Sequence, residues 1–156
     1  MKIALGMDHR GVAVARMLAE RLPDDGHDVA QLGSCDGEPC DYPDVTWSVA
    51  RAVAAGEADR GILVCGTGIG ASIAANKVAG VRAALVHDES SARLSRQHND
   101  ANVLCLAGDA LTEDTEILRI VNTWLATSFE GGRHARRVNK IAAIERGENP
   151  VEAVKA

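Results

Sequence analysis

Short apolar segments alternate with segments of helical periodicity along the whole chain, and this alternation limits the possible folds more than any other feature. Residues 61–64 (GILV) are typical of a strand buried on both faces of a parallel sheet. The predicted strands are residues 2–6, 28–32, 61–64, 81–86 and 103–106. The predicted helices are residues 11–22, 45–55, a segment from the 66–70 turn to 78, 89–98, 112–128 and about 134–146.

Single helices between consecutive strands imply right-handed crossovers and an open parallel sheet. The sequence therefore predicts an α/β fold, a doubly wound Rossmann-like domain with a five-stranded parallel sheet and helices on both faces. No repeat or linker divides the chain, so we expect one domain over residues 1–156, with a peripheral tail from about 147 to 156.

Composition excludes several function classes. With 17 Lys and Arg against 22 Asp and Glu, the net charge is −5, which argues against a nucleic-acid partner. The longest uncharged stretch, residues 61–76, is too short to span a bilayer, and no basic, apolar leader opens the chain. The four cysteines (35, 40, 65 and 105) lack zinc-like spacing, so we expect reduced thiols, no metal and a cytoplasmic protein.

The glycine-rich loop at residues 66–70 is the strongest local signal. Three glycines in five residues let the backbone turn tightly and present several N–H groups to an anion at a helix N-terminus. One interpretation is a dinucleotide fingerprint, Gly66-x-Gly68-x-x-Ala71 with Asp88 further on, although the chain has no second domain for a dehydrogenase substrate. A phosphatase loop is excluded because position 71 is not arginine. In the third interpretation, Cys65 and Thr67 are themselves the reactive groups and lie beside an oxyanion hole.

Each of these side chains also has a purely structural interpretation. Cys65 fits a buried thiol, Thr67 a turn or capping residue and Asp8 the cap of the first helix. Similarly, His9 and His98 fit surface positions, and the basic cluster fits a solvated helix face or a phosphate clamp. That cluster consists of Arg133, Arg136, Arg137 and Lys140. If Asp8, His9, the 66–70 loop and His98 converge on one cleft, the set suits a sugar phosphate.

Five segments together carry a family resemblance. They are residues 2–9 (KIALGMDH), 41–43 (DYP), 61–77 (GILVCGTGIGASIAANK), 94–103 (LSRQHNDANV) and 130–138 (EGGRHARRV). In this order and spacing the chain resembles the ribose-5-phosphate isomerase B family, which includes the galactose-6-phosphate isomerase subunits. The similarity extends to about Glu145.

The resemblance implies an aldose–ketose isomerase that needs neither a metal nor a cofactor and acts first of all on ribose 5-phosphate. Cys65 resembles the base that moves a proton between C1 and C2 through a cis-enediolate, and Thr67 the group that transfers a proton between O1 and O2. His98, with Asp8 nearby, resembles the group that opens the sugar ring. The backbone of Gly66, Gly68, Ile69 and Gly70 would hold the enediolate charge, and the expected substrate contacts are His9, Tyr42, Asn99, Arg133 and Arg137.

The resemblance also implies a homodimer or a dimer of dimers with the site between subunits. One stretch departs from the family, because residues 107–110 read Ala-Gly-Asp-Ala where a phosphate-binding arginine is expected, with Ala110 in its place. A tetrose or hexose phosphate is therefore an alternative substrate. A nucleotide-binding module and a catalytically silent subunit are alternatives of other classes.

Overall fold

The computed structural model describes residues 1–33 and 38–153. The strands are β1 (Lys2–Met7), β2 (Asp28–Gln31), β3 (Arg60–Cys65), β4 (Ala83–Leu85) and β5 (Val103–Ala107). The helices are α1 (Val12–Arg21), α2 (Tyr42–Ala54), α3 (Ile69–Ala75), α4 (Glu89–Asn99), α5 (Asp114–Ala126) and α6 (Arg133–Glu145). The predicted elements are all present, so the predicted α/β class is confirmed.

The five strands form one parallel sheet in the order β2-β1-β3-β5-β4. From β1 the chain first adds β2 on one side and then β3 on the other. The loops that follow β1 and β3 therefore diverge at the boundary between these two strands. Crevices at such switch points, outside the carboxyl ends of the strands, are where open α/β sheets bind ligands.

Alternate side chains of the strands enter two apolar cores. Ile62, Val64 and Leu104 point to the face that is covered by α1, α4 and α5, and there they pack with buried Leu18 and Trp124. The opposite face is covered by α2 and α3 and has smaller side chains, among them Ala4, Leu63, Cys65, Ala71 and Cys105. Burial on both faces explains why the central strands are apolar throughout.

Two helix boundaries differ from the prediction by three residues, and the others differ by two or fewer. Helix α2 begins at Tyr42 rather than at residue 45, because Pro43 lies in its first turn, where a missing backbone N–H breaks no helical hydrogen bond. Helix α3 ends at Ala75 rather than at residue 78, because Asn76 turns the chain back and bonds to Ala83 at the start of β4. Within the described residues, no helix combines the length and apolar composition needed to cross a membrane.

Candidate active site

A cleft of about 280 Å³ lies at the switch point, between the loops that follow β1, β3 and β5. Backbone hydrogen bonds join the three loops, since Asp8 N donates to Val64 O at 3.1 Å and Gly108 N donates to Cys65 O at 2.8 Å. The described residues that line the cleft are Asp8, Arg10, Tyr42, Cys65, Gly66, Thr67, Gly70 and Asp109.

The 66–70 loop turns at Gly68, whose φ of +73° is in the left-handed region. The left-handed conformation favours glycine here, and a Cβ would also lie 2.4 Å from Leu85 Cδ1 and 3.1 Å from the backbone carbon of Leu106, so a side chain would force its neighbours to shift. The turn directs the backbone N–H of Gly68 to the sulfur of Cys65, with an N–Sγ distance of 3.1 Å. Thr67 Oγ1 accepts the N–H of Ile69 at 3.3 Å, which leaves the hydroxyl hydrogen available to a ligand.

Two free cysteines lie on the same face of the sheet in different surroundings. Cys105 is fully buried in the middle of β5, and burial raises the pKa of its thiol. Cys65 is 4% exposed, but it ends β3, lines the cleft and accepts an amide N–H. Hydrogen bonds to ionised groups are stronger than those to neutral ones, so this amide interacts more strongly with a thiolate than with a thiol.

Asp8 is 6% exposed, and its Oδ1 accepts the N–H groups of Arg10 at 2.9 Å and Gly11 at 3.1 Å. These contacts fix the carboxylate within the loop rather than at the helix. Helix α1 begins only at Val12, with Gly11 as its N-cap residue and no capping side chain.

Of the other two expected substrate contacts in these loops, Tyr42 lines the cleft and His9 does not. The ring of Tyr42 packs against Gly70, because a Cβ at Gly70 would lie 2.5 Å from its Cζ. The Nδ1 of His9 accepts the backbone N–H of Cys40 at 3.4 Å, and His9 is not among the residues that line the cleft.

The remaining predicted residues form a second group. His98 and Asn99 lie at the end of α4, and Arg133 and Arg137 lie in the first two turns of α6, which packs against α4. None of the four lines the Cys65 cleft. Convergence of His98 on the Cys65 cleft is therefore not achieved within one chain, because α4 ends just before β5 begins, at the amino end of the strands, whereas the cleft lies at their carboxyl ends.

Comparisons with known proteins identify the family. Residues 3–141 match the family model described as Ribose/Galactose Isomerase. The chain belongs to this family. It is 47% identical to the ribose-5-phosphate isomerase B of Escherichia coli K12 over 148 residues, which cover 95% of this chain and 99% of that protein.

Two solved structures extend the similarity to the fold. Ribose-5-phosphate isomerase B of Clostridium thermocellum has a TM-score of 0.92 and is 50% identical, with 94% of this chain and 99% of that chain covered. The Mycoplasma genitalium enzyme, solved with bound ribulose 5-phosphate, has a TM-score of 0.89 and is 44% identical, with 93% and 96% covered.

In this member of the ribose/galactose isomerase family, the sequence analysis missed a buried partner of His98. The imidazole of His134 stacks on that of His98, with ring centroids 4.1 Å apart and an interplanar angle of 4°. Burial lowers the pKa of His134, and His98, Arg133 and Arg137 lower it further. The only signal in the sequence was the position of His134 beside Arg133 in the 130–138 segment.

Together with Glu130, these two histidines place three potential metal-ligand atoms within 4.8 Å of one another. Among the described residues, this is the group that could hold a metal ion by its spacing. The fit to a metal ion is poor. His134 Nε2 already accepts a hydrogen bond from Arg133 Nε at 3.3 Å, so the lone pair that a cation would need is in use.

The sequence analysis also missed an ion pair at the cleft. Arg10 donates from Nε to Asp109 Oδ1 at 3.0 Å, and Nη2 of the same guanidinium contacts Oδ2. Asp109 belongs to the 107–110 stretch that departs from the family pattern, while Arg10 follows Asp8 and His9. A pair formed between residues 99 positions apart leaves no local pattern by which to find it.

One expectation about the cysteines is wrong. Cys40 is disulfide-bonded, whereas Cys65 and Cys105 are free, so the expected reduced state does not hold for Cys40. Cys35 lies outside the described residues.

Proposed function

We propose that this chain is an aldose–ketose isomerase that interconverts ribose 5-phosphate and ribulose 5-phosphate. The observation that carries the proposal is the Cys65 thiol at the switch-point cleft, where its sulfur accepts the backbone N–H of Gly68 from the glycine-rich loop. Membership of the ribose/galactose isomerase family supports the reaction class. The names of the E. coli and M. genitalium relatives, and the ligand in the second, support the choice of sugar.

In the proposed reaction, the Cys65 thiolate removes the proton from C2 of the open-chain aldose. The electrons of that C–H bond form the C1–C2 double bond of a cis-enediolate, and the carbonyl electrons move to O1. The thiol then returns the proton to C1, while Thr67 relays the hydroxyl proton from O2 to O1. These steps leave a carbonyl at C2 and a hydroxymethyl group at C1, so atoms and charge balance.

The barrier to this reaction is set by the charge that develops on the enediolate oxygens. A proton beside a carbonyl is weakly acidic, so donors that are already in place stabilise the transition state most. We assign this role to the backbone N–H groups of residues 66 and 68–70, of which those of Gly68 and Ile69 must exchange their bonds to Cys65 Sγ and Thr67 Oγ1 for bonds to the substrate. Removing one such donor typically costs about 2.7–4 kcal/mol of transition-state stabilisation.

We assign ring opening to His98 with Asp8, and phosphate binding to His9, Arg133 and Arg137, with Asn99 and Tyr42 as further substrate contacts. Because one chain separates these residues into two groups, the proposal requires a second copy that brings the α4–α6 group to the Cys65 cleft. A homodimer or a dimer of dimers meets this requirement. The exposed apolar side chains of Ile141 and Ile144 on α6 favour such a contact.

The proposed enzyme works in the cytoplasm, as one domain over the whole chain, without a metal or a cofactor. A nucleotide-binding module is less well supported. The ring of Tyr42 rests against Gly70 in the first turn of α3, where a pyrophosphate would need to approach the backbone.

A substrate panel followed by NMR in D2O tests the proposal. We expect ribose 5-phosphate to give ribulose 5-phosphate with deuterium at the exchanging carbon, faster than erythrose 4-phosphate, allose 6-phosphate or galactose 6-phosphate. If the protein converts one of the other sugars but not ribose 5-phosphate, the mechanism stands and the proposed substrate is rejected. No turnover of any of them, together with a thermal shift on adding NAD, would reject the isomerase in favour of the nucleotide-binding module.

A further inference from the structure

Arg10 is a cation in the Cys65 cleft to which the proposed reaction gives no role. It is the one lysine or arginine among the described residues that line the cleft. Its side chain is 58% exposed, so its guanidinium is accessible from the cleft mouth.

The position of the guanidinium is set by Asp109, which holds its Nε and Nη2 edge in a two-point contact. Asp109 is itself anchored, because its backbone N–H donates to Gly66 O at 3.0 Å. The pair lies directly over Gly66, where an added Cβ would be 2.9 Å from both Arg10 Nε and Asp109 Oδ2. Gly66 thus makes room for the pair immediately beside Cys65.

This arrangement leaves part of the guanidinium unused. A guanidinium carries five N–H donors in one plane, and Asp109 engages those on one edge. The donors on the other edge can still form a second two-point contact. The planar fork of arginine matches the oxygens of a phosphate better than it matches the scattered hydroxyls of a sugar.

We propose that Arg10 binds the phosphate group of the substrate and that Asp109 both orients the guanidinium and limits its affinity for that anion. The inference rests on the proposed sugar-phosphate substrate and adds a residue to its recognition. The carboxylate of Asp109 repels the incoming phosphate. The ion pair therefore attracts a phosphate less strongly than an arginine without an acidic partner would.

The test compares Arg10→Met with Asp109→Asn in two measurements. The first is the KM for ribose 5-phosphate, and the second is the Kd of inorganic phosphate by calorimetry. We expect Arg10→Met to raise both constants at least about tenfold, with a much smaller effect on kcat. We expect Asp109→Asn to lower the phosphate Kd, because asparagine keeps an oxygen that can accept the Nε hydrogen but removes the negative charge.

The matched control is Arg146→Met. Arg146 makes the same kind of two-point contact with Glu148, at 2.8 Å for both bonds and with similar exposure, but outside the cleft. We expect this variant to leave both constants unchanged.

The two cleft variants are expected to change the phosphate Kd in opposite directions. This pattern distinguishes phosphate binding by Arg10 from an ion pair with a purely structural role. If both variants shift the phosphate Kd in the same direction, or neither shifts it, the proposal is overturned. A raised KM with an unchanged phosphate Kd would mean that Arg10 contacts sugar hydroxyls, and this too overturns it. Calorimetry with phosphate needs no turnover, so it decides the role of Arg10 even if the substrate panel rejects the proposed function.

Discussion

Cys65 and Cys105 are offset by two residues in the register of their strands, and this offset decides their chemistry. They lie on neighbouring parallel strands and on the same face of the sheet, but Cys65 ends β3 while Cys105 lies two residues before the end of β5. Cys65 therefore lines the cleft and contacts the amide of Gly68, whereas Cys105 is fully buried in the apolar core. The sequence alone predicted Cys65 and Thr67 as candidates because they lie at the end of a buried strand, in the glycine-rich segment that leads into a helix N-terminus, where the sheet opens to ligands.

We expect Cys65→Ala to lower kcat for ribose 5-phosphate by about 10²–10⁴-fold or more, since that is the range that a general base contributes. Substrate binding, measured by calorimetry, should be largely retained because the amides and cations stay in place. Cys105→Ala is the matched control, a buried free thiol on the same sheet face that should keep its kcat. Near-normal turnover of Cys65→Ala would show that another group removes the proton.

At the scale of elements, local periodicity predicted the type of every helix and strand, because apolar side chains repeat at one interval in helices and another in strands. The order of the strands was not predictable in this way. β5 inserts between β3 and β4, and such pairing depends on contacts between residues far apart in the chain. The same limit explains why the contact between α4 and α6, and with it the stack of His98 on His134, was not foreseen.

We expect that helix contact to make the stability of the fold depend on pH. The folded state lowers the pKa of His134 below its ordinary value of 6.5, chiefly by burial, so the unfolded chain binds more protons once the pH falls below that value. Stability should therefore fall as the pH drops from about 7.5 to about 5.5. We expect His134→Asn to show a smaller fall in the unfolding midpoint over this range.

The exposed histidine His87 provides the control for that measurement, since His87→Asn removes a histidine from the surface. Thermal unfolding of wild type, His134→Asn and His87→Asn is measured at several pH values and at matched ionic strength. The quantity compared is the slope of the unfolding midpoint against pH. If wild type and His134→Asn lose stability in parallel, another group is responsible for the pH dependence.

At the scale of the whole molecule, the two groups of site residues make a prediction about assembly. If each site takes Cys65 from one copy and His98 from another, inactive Cys65→Ala and His98→Ala chains should complement each other. In a mixed dimer one site carries both substitutions and the other carries neither. Random exchange of the two variants in equal amounts should restore about a quarter of the wild-type sites.

The measurement is the isomerase rate after the two variants are mixed, partly unfolded and refolded together. Each variant refolded alone is the control. If the mixture gains no activity while hybrids are present by mass spectrometry, both residues act within one chain.

The insertion of β5 between β3 and β4 also concerns synthesis on the ribosome. β4 has one hydrogen-bonded neighbour in the sheet, and that neighbour is made after it. While the nascent chain is shorter than about 103 residues, β3 offers an unpaired edge and β4 has no place to dock. The sheet is completed only when the last strand emerges, so translation must release most of the chain before a native core can close. The Cys65 cleft, which needs the loop after β5, therefore forms late in the synthesis of the chain.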